Sequence, residues 1–176
     1  NILEGLRFYV SFACSFAFAE SGVMEGNAKI IKFIARDEAV HLSATQHMLN
    51  YIRTGREGPV WQQMYEDMVP DFQRMYMEAS NEEKDWADEL FKFGPILGLN
   101  ANILKKYVDF LTAARMDAIK LPHELGEPSN PLPWINRWFS SQAVQEAPQE
   151  TEKESYIIGA VEVEVSDEDL EELKDM

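Results

Sequence analysis

The segment from Asn27 to Arg53 constrains the fold more than any other. Read with a helical period, Ala28, Ile31, Ile34, Ala35, Leu42, Thr45, Met48, Leu49 and Ile52 fall on one apolar stripe. Glu38 and His41 lie on that stripe, three residues apart, and so are neighbours on one helix face. A stripe of this kind faces a core, and a core disfavours an ionised carboxylate. Leaving one unpaired there costs several kcal/mol or forces a proton onto it. A metal ion resolves the conflict, because it takes an anionic oxygen and a neutral imidazole in one place. The alternative is a hydrogen-bonded Glu–His pair at the edge of the core. The pair by itself does not separate the two.

The 176 residues are enough for one domain with a real core, and 45% of them are hydrophobic. No apolar run reaches the roughly 18 residues of a membrane span, and no signal-peptide pattern is present. A single cysteine, Cys14, excludes an internal disulfide and fits a reducing, cytoplasmic setting. Its apolar helical neighbours predict an inert, packed thiol. The formal charge of −15 argues against nucleic-acid binding through a basic patch. That charge is uneven: 142–176 holds twelve acidic residues and two lysines, a balance of −10. The chain opens at Asn1, inside a helical pattern with no cap ahead of it. The expectation is a piece of something longer, or a processed product.

Asn1 to about Glu20 reads as an apolar helix, with Glu4 at the head of a ridge formed by Phe8, Phe12 and Phe16. By position alone Glu4 reads as a solvated residue at a chain end. The segment Ser21–Asn27, with two glycines, is a break, and Asn27 is the expected N-cap of the second helix. A short connection makes the two helices antiparallel neighbours. At ~1.5 Å per residue Glu4 lies ~24 Å before Glu20 and Glu38 ~17 Å after Asn27. Helix geometry therefore permits Glu4, Glu38 and His41 to converge without demanding it.

Thr54–Pro59 ends that helix and starts a third, whose apolar face runs Trp61, Met64, Tyr65, Met68, Phe72, Met75, Tyr76 and Ala79. Pro70 is expected to kink or divide it. A charged helical run continues from Asn81 to Phe91 before the Gly94–Pro95 break. Asn100 is placed to cap a fourth helix ending near Lys120, with Ile103, Leu104, Tyr107, Leu111, Ala114 and Ile119 inward. The methionines and aromatics read as core rather than as a cofactor box. The expected organisation is a helical bundle over 1–120, a Pro/Trp-rich strap over 121–141 and a flexible acidic tail over 142–176. Trp134, Trp138 and Phe139 are expected to pin the strap to the bundle. His123 in the strap and His47 on the polar side of helix two read as solvated or cap-forming. In the tail, Tyr156, Ile157, Ile158, Val161, Val163, Val165, Leu170 and Leu173 stand among acidic residues. That pattern suits a segment that folds on a partner; the alternative is a solubilising tail.

Long strings of the chain resemble the small, radical-generating beta subunit of class I ribonucleotide reductase, of bacterial and phage type. They are Glu4-Gly5-Leu6-Arg7-Phe8-Tyr9-Val10-Ser11-Phe12, Met24-Glu25-Gly26-Asn27-Ala28-Lys29, Ala35-Arg36-Asp37-Glu38 and His41. Further along come Lys84-Asp85-Trp86-Ala87-Asp88, Ser129-Asn130-Pro131, Pro133-Trp134-Ile135-Asn136, and Ala147-Pro148-Gln149-Glu150 ahead of Ser155-Tyr156. The resemblance implies an all-α, ferritin-like di-iron bundle, of which this chain is the C-terminal half with an extended tail. It implies that Glu4, Glu38 and His41 ligate one iron, which reverses the chain-end reading of Glu4. It implies that Phe8, Phe12 and Ile34 line the apolar pocket around a tyrosyl radical. Asp37 then corresponds to a carboxylate that orients a histidine ligand of the other iron. Tyr156 corresponds to the tyrosine that relays the radical to the large alpha subunit, and Glu150 to an acidic residue of that relay.

The implied cofactor is a di-iron centre, two irons per complete subunit, with manganese able to suit similar ligands. The implied partners are the large subunit through the tail, an N-terminal half supplying the remaining ligands, and a second small subunit in a dimer. No nucleic acid or membrane partner is expected. The second iron's Asp, its Glu-x-x-His pair and the radical tyrosine would all precede Asn1. The last seven residues, Leu170 to Met176, lack the aromatic that many family tails carry. Two other readings start from the same residues. One is another ferritin-like di-iron oxidase or iron store, which would not need Tyr156. The other is a non-catalytic module that binds a partner through its tail.

Overall fold

A computed structural model describes residues 1–96 and 98–139. Its elements are all helical: a π helix Leu3–Arg7 running into α1 (Phe8–Glu20), then α2 (Glu25–Arg53), α3 (Pro59–Leu90) and α4 (Ala101–Ala118). A 3₁₀ turn, Pro133–Ile135, leads into a short α5 (Asn136–Phe139). The 142–176 tail, with Glu150 and Tyr156, lies outside the described residues.

The middle of the bundle is α1, and its composition explains why. Tyr9, Val10, Phe12, Ala13, Phe16 and Ala17 are all buried, which takes up more than one face of the helix. A helix apolar on several sides is stable only when covered on several sides. Here α1 packs on α2 and α4, while α3 packs chiefly on α4. The main core joins α1 to Leu104, Tyr107, Val108 and Leu111 of α4 and to Leu132 and Ile135 of the strap.

The helix ends follow local chemistry. Gly22 takes φ 71° at the end of α1, where Val23 N–H donates to the Phe18 carbonyl and Gly22 N–H to that of Ala19. This is the Schellman pattern, which leaves the last carbonyls satisfied and reverses the chain. Gly55, at φ 72°, repeats it at the end of α2. Asn100 caps α4 as expected, its Oδ1 accepting from Ile103 N–H at 2.9 Å.

Two expectations of helix position need correction. Asn27 is not a cap: α2 begins at Glu25, after Met24 in the left-handed region at φ 57°. The Schellman reversal at Gly22 turns the chain so tightly that the helix restarts three residues earlier. Nor does Pro70 divide the third helix, because α3 runs unbroken through it. Pro70 and Glu66, the residue whose carbonyl loses its donor, are both exposed, so the lost hydrogen bond lies beside water.

Trp134, Trp138 and Phe139 pack against the main core. The Trp138 ring stacks on Phe16 at 4.9 Å and its Nε1–H donates to Glu20 at 2.7 Å, while Phe139 stacks on Tyr9 at 4.6 Å. His123 is not solvated. Its side chain is 8% exposed; Nδ1 accepts from Leu125 N–H at 3.3 Å, and Nε2 stands 3.1 Å from Asp117. It ties the strap's first loop to the end of α4. No helix among the described residues is long and apolar enough to cross a membrane.

Candidate metal centre

Three side chains from two helical stretches meet at one point. Glu4, in the π helix, and Glu38 and His41, on α2, bring one ligand atom each within 4.8 Å of one another. The α2 pair is placed by helix periodicity: His41 Nδ1 stands 3.2 Å from Glu38 Oε2. Glu38 is 15% exposed and His41 60% exposed, so the pair straddles the edge of the described core. Glu4 is half-buried rather than solvated at a chain end.

The π helix delivers Glu4. One N–H, that of Phe8, reaches back five residues to the Leu3 carbonyl, so this stretch holds one residue more than an α-helix would. Gly5 follows Glu4 and is buried because both neighbouring helices close on it. A Cβ there would sit 2.7 Å from Leu42 Cδ1 of α2 and 3.1 Å from Arg115 Nε of α4. A larger residue there would require the Leu42 and Arg115 side chains to shift.

The donor set suits a divalent cation. Two carboxylates and an imidazole match the preferences of iron or manganese. Glu4 Oε2 is buried and makes no hydrogen bond, although the Asn1 backbone nitrogen lies 3.2 Å away. A buried carboxylate oxygen without a hydrogen bond is what a coordinated cation would satisfy. The residues present therefore fit such a group.

The surroundings divide into a closed side and an open side. Phe12 is buried and Phe8 half-buried, their rings 6.1 Å apart. Ile34, expected to share their pocket, is 42% exposed. Asp37 is also exposed, paired with Arg36 at 3.6 Å. On α2 the apolar stripe splits lengthwise. Ala28, Ala35 and Leu42, seven residues apart, are buried, whereas Ile34 and Met48 face outward. Burial pushes the Tyr9 phenol above its ordinary range; Arg115 opposes this and the Glu38 carboxylate adds to it. Burial also pushes the Cys14 thiol up to about 12, so it stays a protonated, packed thiol as expected.

Sequence reasoning missed several residues around this site. Arg7, at the end of the π helix, pairs with Glu83 at 3.2 Å and with Glu82, both on α3. Glu83 is buried, and its desolvation raises the carboxyl pKa against the opposing pull of Arg7. Arg115 of α4 donates from Nε to the Gly5 carbonyl at 2.9 Å. A signal was present: Glu83 falls on the line of Tyr76, Ala79 and Ala87, and Arg115 follows Leu111 by one turn. Charged residues on buried lines need partners.

The family model described as "Ribonucleotide reductase, small chain" matches residues 1–131. The chain is 52% identical over 170 residues to a ribonucleoside-diphosphate reductase 1 subunit beta from Escherichia coli, covering 97% of this chain and 45% of that protein. It is 42% identical over 170 residues to the ribonucleoside-diphosphate reductase subunit beta of Enterobacteria phage T4, covering 95% of this chain and 44% of that one. The chain thus spans less than half the length of these curated relatives. Among solved structures it is similar to a ribonucleotide reductase R2 subunit from Clostridium botulinum. The TM-score is 0.70 at 28% identity, over 78% of this chain and 42% of that one.

Proposed function

The chain belongs to the ribonucleotide reductase small-chain family, and from that premise we propose that it supplies one half of a di-iron, radical-generating subunit of ribonucleoside-diphosphate reductase. Its described residues form an all-α bundle of ferritin-like type. The observation that carries the reading is the convergence of Glu4, Glu38 and His41 within 4.8 Å. A binding module acting only through its tail gives no reason for two carboxylates and an imidazole to meet beside a core.

Glu4, Glu38 and His41 would hold one iron, and the second needs ligands from the part of the subunit that the longer relatives possess. A di-iron centre bound there supplies the oxidising power that converts a tyrosine side chain to a radical. Phe8, Phe12 and Ile34 keep water and reductants from that radical, because their side chains offer nothing that loses an electron easily. Ile34 does so only once its exposed face is covered. Asp37, exposed and paired with its neighbour Arg36, would orient a ligand that arrives from outside this chain. Tyr156 relays the radical to the large subunit with Glu150 beside it, and the acidic 142–176 tail docks there through its apolar anchors. The bundle over 1–120 and the strap over 121–141 hold the metal side of this arrangement, within a dimer of small subunits. The locale is cytoplasmic.

Three variants assayed in the complete two-subunit enzyme test the proposal. Glu38→Ala should lose most iron, while His47→Ala, on an exposed stretch of α2, should keep it. Tyr156→Phe should keep both iron and radical yet abolish nucleotide reduction. Phenylalanine has no O–H to deprotonate, so its ring is not oxidised at an accessible potential, while its shape is nearly unchanged. Full metal in Glu38→Ala would remove the metal assignment. Normal turnover by Tyr156→Phe would end the relay and leave a stand-alone oxidase or iron store as the better reading.

A further inference from the structure

An arginine in the last turn of a helix ordinarily serves its own helix, offsetting the negative end of the dipole or bonding its free carbonyls. Arg115 occupies that position on α4 but serves another element. Its Nε donates at 2.9 Å to the carbonyl of Gly5, 110 residues away. The guanidinium also lies over the Tyr9 ring, 4.9 Å from its centre. Both contacts fall on the stretch that carries Glu4.

Where a π turn hands over to α-helix, the backbone hydrogen-bond register changes by one residue, so a contact from outside the helix can fix where the change falls. The Gly5 carbonyl lies inside that turn, and Arg115 bonds to it from a neighbouring helix. On the opposite side, Leu42 of α2 closes on Gly5 so tightly that a Cβ would sit 2.7 Å from Leu42 Cδ1. Leu42 adjoins His41. Glu4 therefore stands next to a residue gripped between α4 and the ligand-bearing part of α2.

We propose that Arg115 is a positioning residue: its hydrogen bond to the Gly5 carbonyl holds the π turn in place, and so sets the Glu4 carboxylate against Glu38 and His41. This rests on the metal reading of those three residues. The sign of the effect separates positioning from charge. A cation beside a metal site repels the metal, so a purely electrostatic Arg115 would weaken metal binding and its removal would tighten it. A positioning Arg115 does the reverse.

The test uses the holoprotein that contains this chain, with wild type, Arg115→Met, Arg115→Lys and Glu38→Ala compared. Mn(II) binding is titrated by electron paramagnetic resonance, and backbone hydrogen exchange is followed over residues 1–12. Arg115→Met should weaken Mn(II) binding by ~10-fold, the lower range for loss of a residue that orients a ligand. It should also speed exchange across Leu3–Arg7 severalfold, with α3 unchanged. Arg115→Lys keeps a donor and the charge, so it should fall between wild type and Arg115→Met in both readouts; if Arg115→Met does not fold, Arg115→Lys decides. Unchanged exchange in the turn, or Mn(II) binding equal to or tighter than wild type, overturns the proposal. A wild type that takes up no Mn(II), or Glu38→Ala binding as tightly as wild type, instead overturns the metal reading on which it rests.

Discussion

Glu83 shows how a single buried charge reports on its surroundings. It lies on the inner line of α3 and its carboxyl pKa is raised from the ordinary 4.5, with desolvation the largest cause and Arg7 opposing it. A carboxyl raised in the folded state favours folding while protonated. Its contribution is therefore complete below 4.5 and is lost as pH rises through the folded-state value. Glutamine does not titrate. The stability of wild type relative to Glu83→Gln should thus fall as pH is raised from below 4.5 to neutrality, read by denaturant unfolding at each pH. A difference that stays flat would mean that the ion pair with Arg7 offsets desolvation, and one that grows in favour of wild type that it outweighs it.

At the scale of elements, the short α5 matters more than its four residues suggest. It has too few turns to be stable as a helix alone. What holds it is the stack of Trp138 on Phe16, with the planes 9° apart, the Nε1–H bond to Glu20, and the ion pair of Arg137 with the same carboxylate. Trp138→Ala removes the ring and leaves Glu20 one donor short. For a half-buried tryptophan with one hydrogen bond the expected loss is about 2–3 kcal/mol, measured by chemical denaturation. Because Phe139 on Tyr9 depends on the same anchor, near-ultraviolet dichroism should change with it. A loss under about 0.5 kcal/mol, the range of ordinary surface substitutions, would show that the strap is held elsewhere.

Among the described residues, α2 and α3 present a run of apolar side chains to solvent. Ile30, Ile34, Val40, Met48, Trp61 and Met64 are each at least 42% exposed. Exposed apolar area on this scale is surface that packing against another face would stabilise. The cluster of Glu4, Glu38 and His41 opens in the same way, with His41 60% exposed. By itself the chain should bind ferrous iron weakly and enhance the fluorescence of a hydrophobic dye. Supplying a polypeptide equivalent to the remainder of the longer relatives should quench the dye signal and bring the metal content to about two irons per unit. Two tightly held irons on this chain alone would sink that expectation.

Much of this was legible in the chain. Helix positions follow from a 3.6-residue period and from punctuation by Gly22, Gly55, Pro59 and Asn100, all of which act on residues a few positions away. The pairing of Glu38 with His41 is equally local, since residues three apart on a helix must face the same way. Glu4 was a different matter. Whether it reaches that pair depends on a π turn, whose extra residue rotates all that follows by about 100°. It depends also on a reversal at Ser21–Met24 tighter than the glycines and Asn27 suggested. Which edge of the α2 stripe is buried, and that Arg115 reaches 110 residues back to the Gly5 carbonyl, no period could state. A helix's own pattern encodes that it has an inner face. Which neighbours meet that face, and at what height along it, is settled only when the helices pack together, because the distances that bring three ligand atoms within 4.8 Å are sums over several elements.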